Sequence, residues 1–380
     1  MKILMAVSHY YFFTGGTRTV MKEFSQKLIK KRHQVDILTV NVSERGEPLW
    51  KKEISDNGQS KIIRWPACKP FVRIKYLNRL FPRIFNSIFF LKWGLRKVLK
   101  DYDIIQFFDV NDLTFPLFFF FTKKPKIFVC ATLAERFNLY QNSPIPRFIL
   151  TKSCSLYFAS NQNTARILKE LGVDESKIKN IPYSVDVEKY TTALEKKKDN
   201  IILFIGAFEE RKGIHILLDS LWYLKNKVEL VMAGPIRDSK YFNNIQKHFE
   251  GINKKGFHKI TYLSVVDEKE LIDLYQKAAI FICPSISEEF GIVIIEAFAC
   301  GTPVIASKIG GISYVVKHFE NGILVNHEDP VELSEEIDML LNNIDMRNTM
   351  GKMAREYVVE NFSSEKVASR IENVFLNVKN

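Results

Sequence analysis

Short β-branched runs alternate with helix-period segments along nearly the whole chain, and no other feature limits its fold as strongly. KILMAV (2–7) leads through HYYFFTGG into the segment Thr17 to Arg32, where Val20, Phe24, Leu28 and Ile29 share one face at helical spacing, and QVDILTV follows. Strands that are apolar along their whole length are buried on both faces, and in a parallel sheet each crossover then carries a helix. A strand–glycine loop–helix–strand unit of this kind opens a doubly wound sheet. Further strands are expected at IIRW (62–65), DIIQFF (103–108), KIFVCA (126–131) and SLYFAS (155–160), with helices around 84–100 and 162–171. The polar stretch 180–200 reads as a linker, and after it the same grammar restarts. IILFIGAF, a helix over 213–225, VELVMAG, a helix over 239–249, KITYLS, a helix over 268–277, IFICPS, a helix from about 292 to 299, and TPVIAS follow in turn.

The fold class expected is α/β, with two Rossmann-like doubly wound domains facing across a cleft. A chain of 380 residues is also longer than one hydrophobic core usually serves. The boundaries fall at 1–182 for the first domain and 183–362 for the second. Ser363 and Ser364 cap an amphipathic helix over 363–380 that is expected to pack back on the first domain. Five cysteines with no Cys-x-x-Cys spacing argue against a disulfide framework or a thiolate metal site and for a reducing compartment. No apolar run approaches the ~20 residues of a spanning helix, and the N-terminus lacks the pattern of a signal peptide. The seven histidines show no metal-ligand spacing. An NAD-dependent dehydrogenase is disfavoured because SHYYFFTGGTRTV lacks the Gly-x-Gly-x-x-Gly turn.

In a doubly wound sheet ligands bind at the carboxyl ends of the strands. Strand IFIC ends at Cys283, so SEEFGIVIIEAFACGTPVIAS (287–307) runs from a loop over that crevice into a helix. Gly291 opens the helix, whose free amides and dipole favour a diphosphate. Glu288 then stands before the phosphate site and Glu296 one turn into the helix, ~12 Å apart along a continuous helix axis. That is too far for one sugar and suits the two ends of a sugar nucleotide. On spacing alone, two surface acids flanking a buried helix fit equally well.

This stretch resembles the Glu-x7-Glu signature of the retaining glycosyltransferases of family 4 (glycosyl transferases group 1), which have the two-domain GT-B fold. The resemblance runs on through GGISYVV and NGILV, and upstream Gly206-Ala-Phe-Glu-Glu-Arg-Lys-Gly213 is similar to the family's lysine-bearing phosphate loop. It implies a nucleotide sugar held mainly by the second domain. Arg211 and Lys212 clamp the diphosphate in the loop that starts at Gly206, and Glu288 faces the donor sugar. The amides of Phe290, Gly291 and Ile292 lie on the sugar and phosphate, Glu296 takes the ribose hydroxyls, and Ser264 to Val266 lie near the base. Gly16 closes over the phosphates from the first domain. Glu288, Lys212 and Arg211 are the expected catalytic residues, with no metal and no cofactor beyond the UDP- or GDP-linked sugar itself. The chain departs from the family at Ala131-Thr132, where members often carry a histidine, and at Ala207, where an arginine is frequent.

The formal charge of +12 is one-sided: residues 1–190 carry +16 and residues 191–380 carry −4. Residues 57–100 hold 11 basic side chains and no acidic one, interleaved with Phe, Leu, Ile and Trp. That composition suits an anionic membrane surface, and no nucleic-acid module accompanies it. The expected function is transfer of a hexose to a glycan or lipid-linked acceptor in surface polysaccharide or glycoconjugate synthesis. The expected location is the cytoplasm, peripheral on the inner face of the cell membrane. The alternatives are a non-catalytic nucleotide-sugar-binding scaffold subunit and a nucleotide-sugar 2-epimerase on the same fold.

Overall fold

The computed structural model of the chain describes residues 1–7, 16–41, 52–56, 60–68, 90–91, 94–108, 122–130 and 144–379. They divide into two compact units, residues 1–182 with 367–380, and residues 183–366. Among the described residues no helix is long and apolar enough to cross a membrane. His9, Gly15, Ala131, Thr132 and most of the basic stretch 57–100 lie outside the described residues.

The first unit is built on strands β1 (Lys2–Ala6), β2 (Gln34–Val40), β3 (Glu53–Asp56) and β4 (Lys61–Trp65), then β7 (Ile104–Phe108), β8 (Lys126–Cys130), β9 (Leu156–Ala159) and β10 (Ile178–Asn180). Between them β5 (Ala67–Cys68) and β6 (Phe90–Leu91) form a separate antiparallel pair. The main sheet runs β10-β9-β8-β7-β1-β2-β4-β3, parallel throughout except at β3 against β4. β7 and β8 are buried at every position, Gln106 and Lys126 included, as expected of central strands of a parallel sheet covered on both faces. Helix α1 (Gly16–Lys30) lays Val20, Met21, Phe24 and Leu28 on the sheet, with Phe24 against Phe108 at 6.5 Å. The C-terminal helix Ser364–Lys379 buries Val367, Ala368, Ile371 and Phe375, and Phe375 stacks on Phe158 at 6.2 Å. Glu372 on that helix accepts from Lys31 at 2.9 Å and pairs with His33 at 2.7 Å. Of the helix expected at 84–100, the described residues contain Leu95–Leu99.

The second unit has a wholly parallel sheet. Its strands are β11 (Ile201–Ile205), β12 (Glu229–Ala233), β13 (Lys259–Leu263), β14 (Ile280–Cys283), β15 (Val304–Ser307) and β16 (Gly322–Val325). They lie in the order β13-β12-β11-β14-β15-β16. The chain fills one side of β11, then returns to fill the other from β14. The order therefore reverses between β11 and β14, and the crevice at their carboxyl ends is where this topology accepts ligands. The four helices that matter here are α2 (Ile214–Ser220), α3 (Ser239–Lys255), α4 (Glu268–Lys277) and α5 (Ile292–Ala299).

Three sequence expectations in this unit are corrected. The helix expected over 213–225 stops at Ser220: Leu221, Trp222 and Tyr223 tighten into i→i−3 turns, and the Asp338 carboxylate then accepts from the amides of Lys225 (2.9 Å) and Asn226 (3.0 Å). The helix expected over 239–249 runs on to Lys255: Ile252 continues the buried row of Ile245, and the left-handed Gly256 (φ 75°) ends it. The stretch 180–200 is no free linker. Tyr183, Val185, Tyr190 and Ala193 are buried, and Arg355 donates to the carbonyls of Val187 (2.8 Å) and Tyr190 (2.5 Å).

Gln106, in the middle of the first sheet, is wholly buried, and among the described residues neither of its amide atoms has a hydrogen-bond partner. An unpaired buried amide costs about 1–3 kcal/mol, and leucine has nearly its volume. Gln106→Leu is expected to raise the denaturation midpoint of the chain. A lowered midpoint in urea unfolding would mean that the amide has a polar partner in solution.

Candidate active site

The site starts from the adjacency of β11 and β14, which pair at Ile202 with Ile280 and at Leu203 with Phe281. The loop leaving β11 (206–213) and the loop leaving β14 (284–291) must then share one crevice. Phe208 moors the first loop: its ring is buried against Phe204, Phe242 and Tyr262, and its amide donates to the Pro235 carbonyl at 2.8 Å. The loop ends in a single 3-10 turn, Glu210–Lys212, closed by Gly213 at φ 65°. Gly213 is obligatory there, since a Cβ would stand 1.9 Å from the Pro284 carbonyl oxygen. The backbones of the two loops also bond directly. The Arg211 carbonyl accepts from the amides of Ile286 (2.8 Å) and Ser287 (3.3 Å), and the Arg211 guanidinium donates to the Ser287 carbonyl at 3.4 Å.

This mooring brings Lys212 onto Glu288. The ammonium donates to the carboxylate at 2.5 Å, and each side chain is only 14% exposed. The other carboxylate oxygen accepts from the Glu289 amide at 3.2 Å. Burial alone would push the Glu288 carboxyl up. The Lys212 cation and its hydrogen bond, with Arg211 behind, outweigh burial and hold it below the usual glutamate range. The Glu288 backbone is fixed from behind by the turn Gly310-Gly311. Gly310 has φ 42° and would place a Cβ 2.4 Å from the Glu288 carbonyl oxygen, and the Gly311 amide donates to the same oxygen at 3.3 Å. Arg211 is half-exposed and pairs with Glu209 at 2.5 Å.

Helix α5 begins one residue past Gly291, its N-cap at φ 83°, and no side chain caps it. Among the described residues, then, the N-cap position offers no side-chain acceptor to the helix's first amides. The rest of the helix is core: Ile294, Ile295, Ala297, Phe298 and Ala299 are fully buried. Glu296 is carried into that core, 8% exposed, and accepts from the Tyr275 hydroxyl at 2.9 Å. The Phe290 ring packs against Tyr183 (4.9 Å) and Phe362 (5.7 Å), so only its backbone is free to meet a ligand.

Of the residues expected from the sequence, Gly206, Arg211, Lys212, Glu288, Phe290, Gly291 and Ile292 belong to these two loops and the helix start. Ser264 and Val266 follow β13, at the same end of the sheet but two strands from β11, with the Ser264 carbonyl accepting from the Gly234 amide at 3.3 Å. Gly16 opens α1 in the other unit. Tyr275, Gly310 and the Gly213–Pro284 approach were not singled out. The glycine pair at 310–311 was the one available signal. Among the described residues no three His, Cys, Asp or Glu side chains converge into a metal-binding group.

Residues 14–189 match the family model for Glycosyltransferase Family 4 and residues 186–357 that for Glycosyl transferases group 1. The chain belongs to the group 1 glycosyltransferases. This family member is 28% identical over 239 residues to an uncharacterized glycosyltransferase of Methanocaldococcus jannaschii, covering 59% of the chain and 60% of the relative. It is 28% identical over 218 residues to a D-inositol 3-phosphate glycosyltransferase of Paenarthrobacter aurescens, covering 53% and 52%. The chain thus spans about half the length of the curated relatives it matches. Among solved structures, Anabaena HepE in complex with UDP and glucose superposes with a TM-score of 0.76 at 18% identity, covering 99% of this chain and 100% of that one. Sucrose-phosphate synthase of Thermosynechococcus elongatus gives 0.80 at 19% identity, covering 99% and 98%. Both share the GT-B fold of two Rossmann-like domains with this group 1 member.

Two outcomes are expected at the Lys212–Glu288 pair. The folded pKa of Glu288 lies below its ordinary value of 4.5, so its stabilising contribution is present above that value and is lost as pH falls through the folded pKa. Glu288→Gln should therefore unfold more easily than wild type at neutral pH and match it in strong acid. A gap that does not narrow in acid denaturation curves contradicts the pairing. Gly310→Ala should cost about 1–3 kcal/mol in strain and displace the Glu288 backbone, reducing turnover. A variant with wild-type turnover and melting temperature would show that the turn does not fix Glu288.

Proposed function

We propose that the chain is a retaining glycosyltransferase that moves a hexose from a nucleoside-diphosphate sugar to a glycan or lipid-linked acceptor. The observation that carries the reading is the Lys212–Glu288 pair, set at the β11/β14 reversal beside an uncapped helix start. Breaking the anomeric C–O bond leaves an oxocarbenium-like sugar and a departing diphosphate. The main requirement is then to stabilise negative charge on the leaving group in a low-dielectric site. Lys212, Arg211 and the amides at Gly291 and Ile292 supply that stabilisation from this chain, so no divalent metal is needed. The Lys212 ammonium has three N–H donors and can keep Glu288 while reaching the phosphates.

Glu288 then faces the anomeric centre as an ionised group that stabilises positive charge on the sugar. The acceptor hydroxyl attacks from the face the diphosphate leaves, its proton passes to the departing phosphate oxygen, and the configuration is retained. Glu296 receives the ribose hydroxyls at the far end of the ligand, and Ser264 to Val266 border the base. A uridine nucleotide is favoured because the HepE structures are described as complexes with UDP and with UDP-glucose. The basic, aromatic run 57–100 supports a peripheral position on an anionic cytoplasmic membrane face, where a lipid-linked acceptor is presented.

Thermal-shift measurements with UDP-, GDP- and dTDP-sugars identify the donor, and nucleotide release then reads turnover. Lys212→Ala is expected to lower turnover at saturating donor by about 10²–10³-fold, the loss of one leaving-group donor. Unchanged turnover would remove Lys212 from the reaction.

A further inference from the structure

Glu296 is an unusual ligand for a sugar nucleotide in one respect: it is a carboxylate lodged in the second turn of a helix that is otherwise core. Such a group binds two vicinal hydroxyls well only if its plane is fixed before the ligand arrives. We propose that Tyr275 is the positioning residue for this nucleoside end of the site: its hydroxyl orients the Glu296 carboxylate, and Thr302 and Lys197 hold Tyr275 in place. The inference rests on the reading of Glu296 as the ribose ligand.

Tyr275 is fully buried on α4, and its ring is wedged against Phe281 (5.5 Å) and Tyr190 (6.4 Å), so it cannot swing away from Glu296. Its hydroxyl meets the Glu296 carboxylate at 2.9 Å. Burial, and then the charge of Glu296, keep the phenol well above its usual pKa, so it stays a neutral donor at every working pH. The backbone carbonyl of the same residue is held independently. It accepts from the Thr302 hydroxyl at 2.7 Å and from the Lys197 amine at 3.4 Å. The same amine also donates to the Ala278 carbonyl at 2.9 Å and to the Thr302 hydroxyl. Lys197 precedes β11, Thr302 lies between α5 and β15, and Tyr275 is on α4. Three separate segments thus converge on one aromatic residue whose hydroxyl donates to Glu296.

The test is calorimetric titration of the full chain with UDP and with 2′-deoxy-UDP, alongside donor kinetics. Wild type is expected to prefer UDP by about 10–100-fold, the worth of one hydrogen bond to a charged group. In Tyr275→Phe the preference should shrink to about threefold or less, with donor KM raised and kcat changed less than about twofold. A Tyr275→Phe protein that keeps the wild-type preference, whatever its melting temperature, overturns the positioning role. Absence of any preference in wild type instead overturns the ribose reading of Glu296 beneath it. Should Tyr275→Phe fail to fold, Thr302→Val, which leaves the phenol intact and loosens only its carbonyl, is read in the same way. It is expected to lower the preference, and an unchanged ratio counts against the proposal.

Discussion

The second unit depends on one topological constraint: β11 and β14, distant in sequence, lie side by side with their carboxyl ends together. Everything at the candidate site follows from that adjacency. The two loops that leave these strands have nowhere to go but toward each other, and the sequence meets that crowding with a glycine where Gly213 passes the Pro284 carbonyl. The backbone bonds from Ile286 and Ser287 to the Arg211 carbonyl then turn proximity into a fixed register. Lys212 and Glu288 come within bonding distance because the backbones beneath them cannot move apart.

That order of causes bears on how the proposed anion site arises in an acidic half of the molecule. Residues 191–380 carry a net charge of −4, so the long-range field does not draw phosphate there. In the proposed reading the attraction is local, from two adjacent cations and the start of a helix, with the Lys212 side chain only 14% exposed. Glu288 balances Lys212 while the crevice is empty and remains ionised, since the cation lowers its pKa more than burial raises it. In the proposed reaction the same carboxylate meets the positive charge that develops on the sugar.

The strands were legible because parallel strands buried on both faces leave nearly unbroken apolar runs, and β11, β12, β14 and β15 match IILFI, ELVMA, IFIC and VIAS. Helix ends were less so. Asp338, more than a hundred residues away, holds the chain just past α2 through the amides of Lys225 and Asn226, and no local pattern announces those bonds. The stretch 180–200 looked like a linker because only Ile181, Tyr183 and Val185 alternate, over too short a run to announce a strand, and the buried Tyr190 and Ala193 extend no regular pattern. At the site, Glu288 and Glu296 stood out through the resemblance to one family's Glu-x7-Glu signature and Lys212 through that to its phosphate loop, since spacing alone fits surface acids equally well. Tyr275 did not, since nothing in ELIDLYQK distinguishes it from an ordinary core residue until Glu296 is seen beside it.

The central claim is that the crevice at the β11/β14 reversal receives a diphosphate. A crystal structure of the full chain grown with UDP tests it most directly. The account requires diphosphate oxygens at about 3 Å from the Lys212 amine and the amides that open α5, with the ribose hydroxyls on Glu296. A nucleotide bound on other residues, with Lys212 and Glu288 still closed on each other and no phosphate beside them, would contradict it.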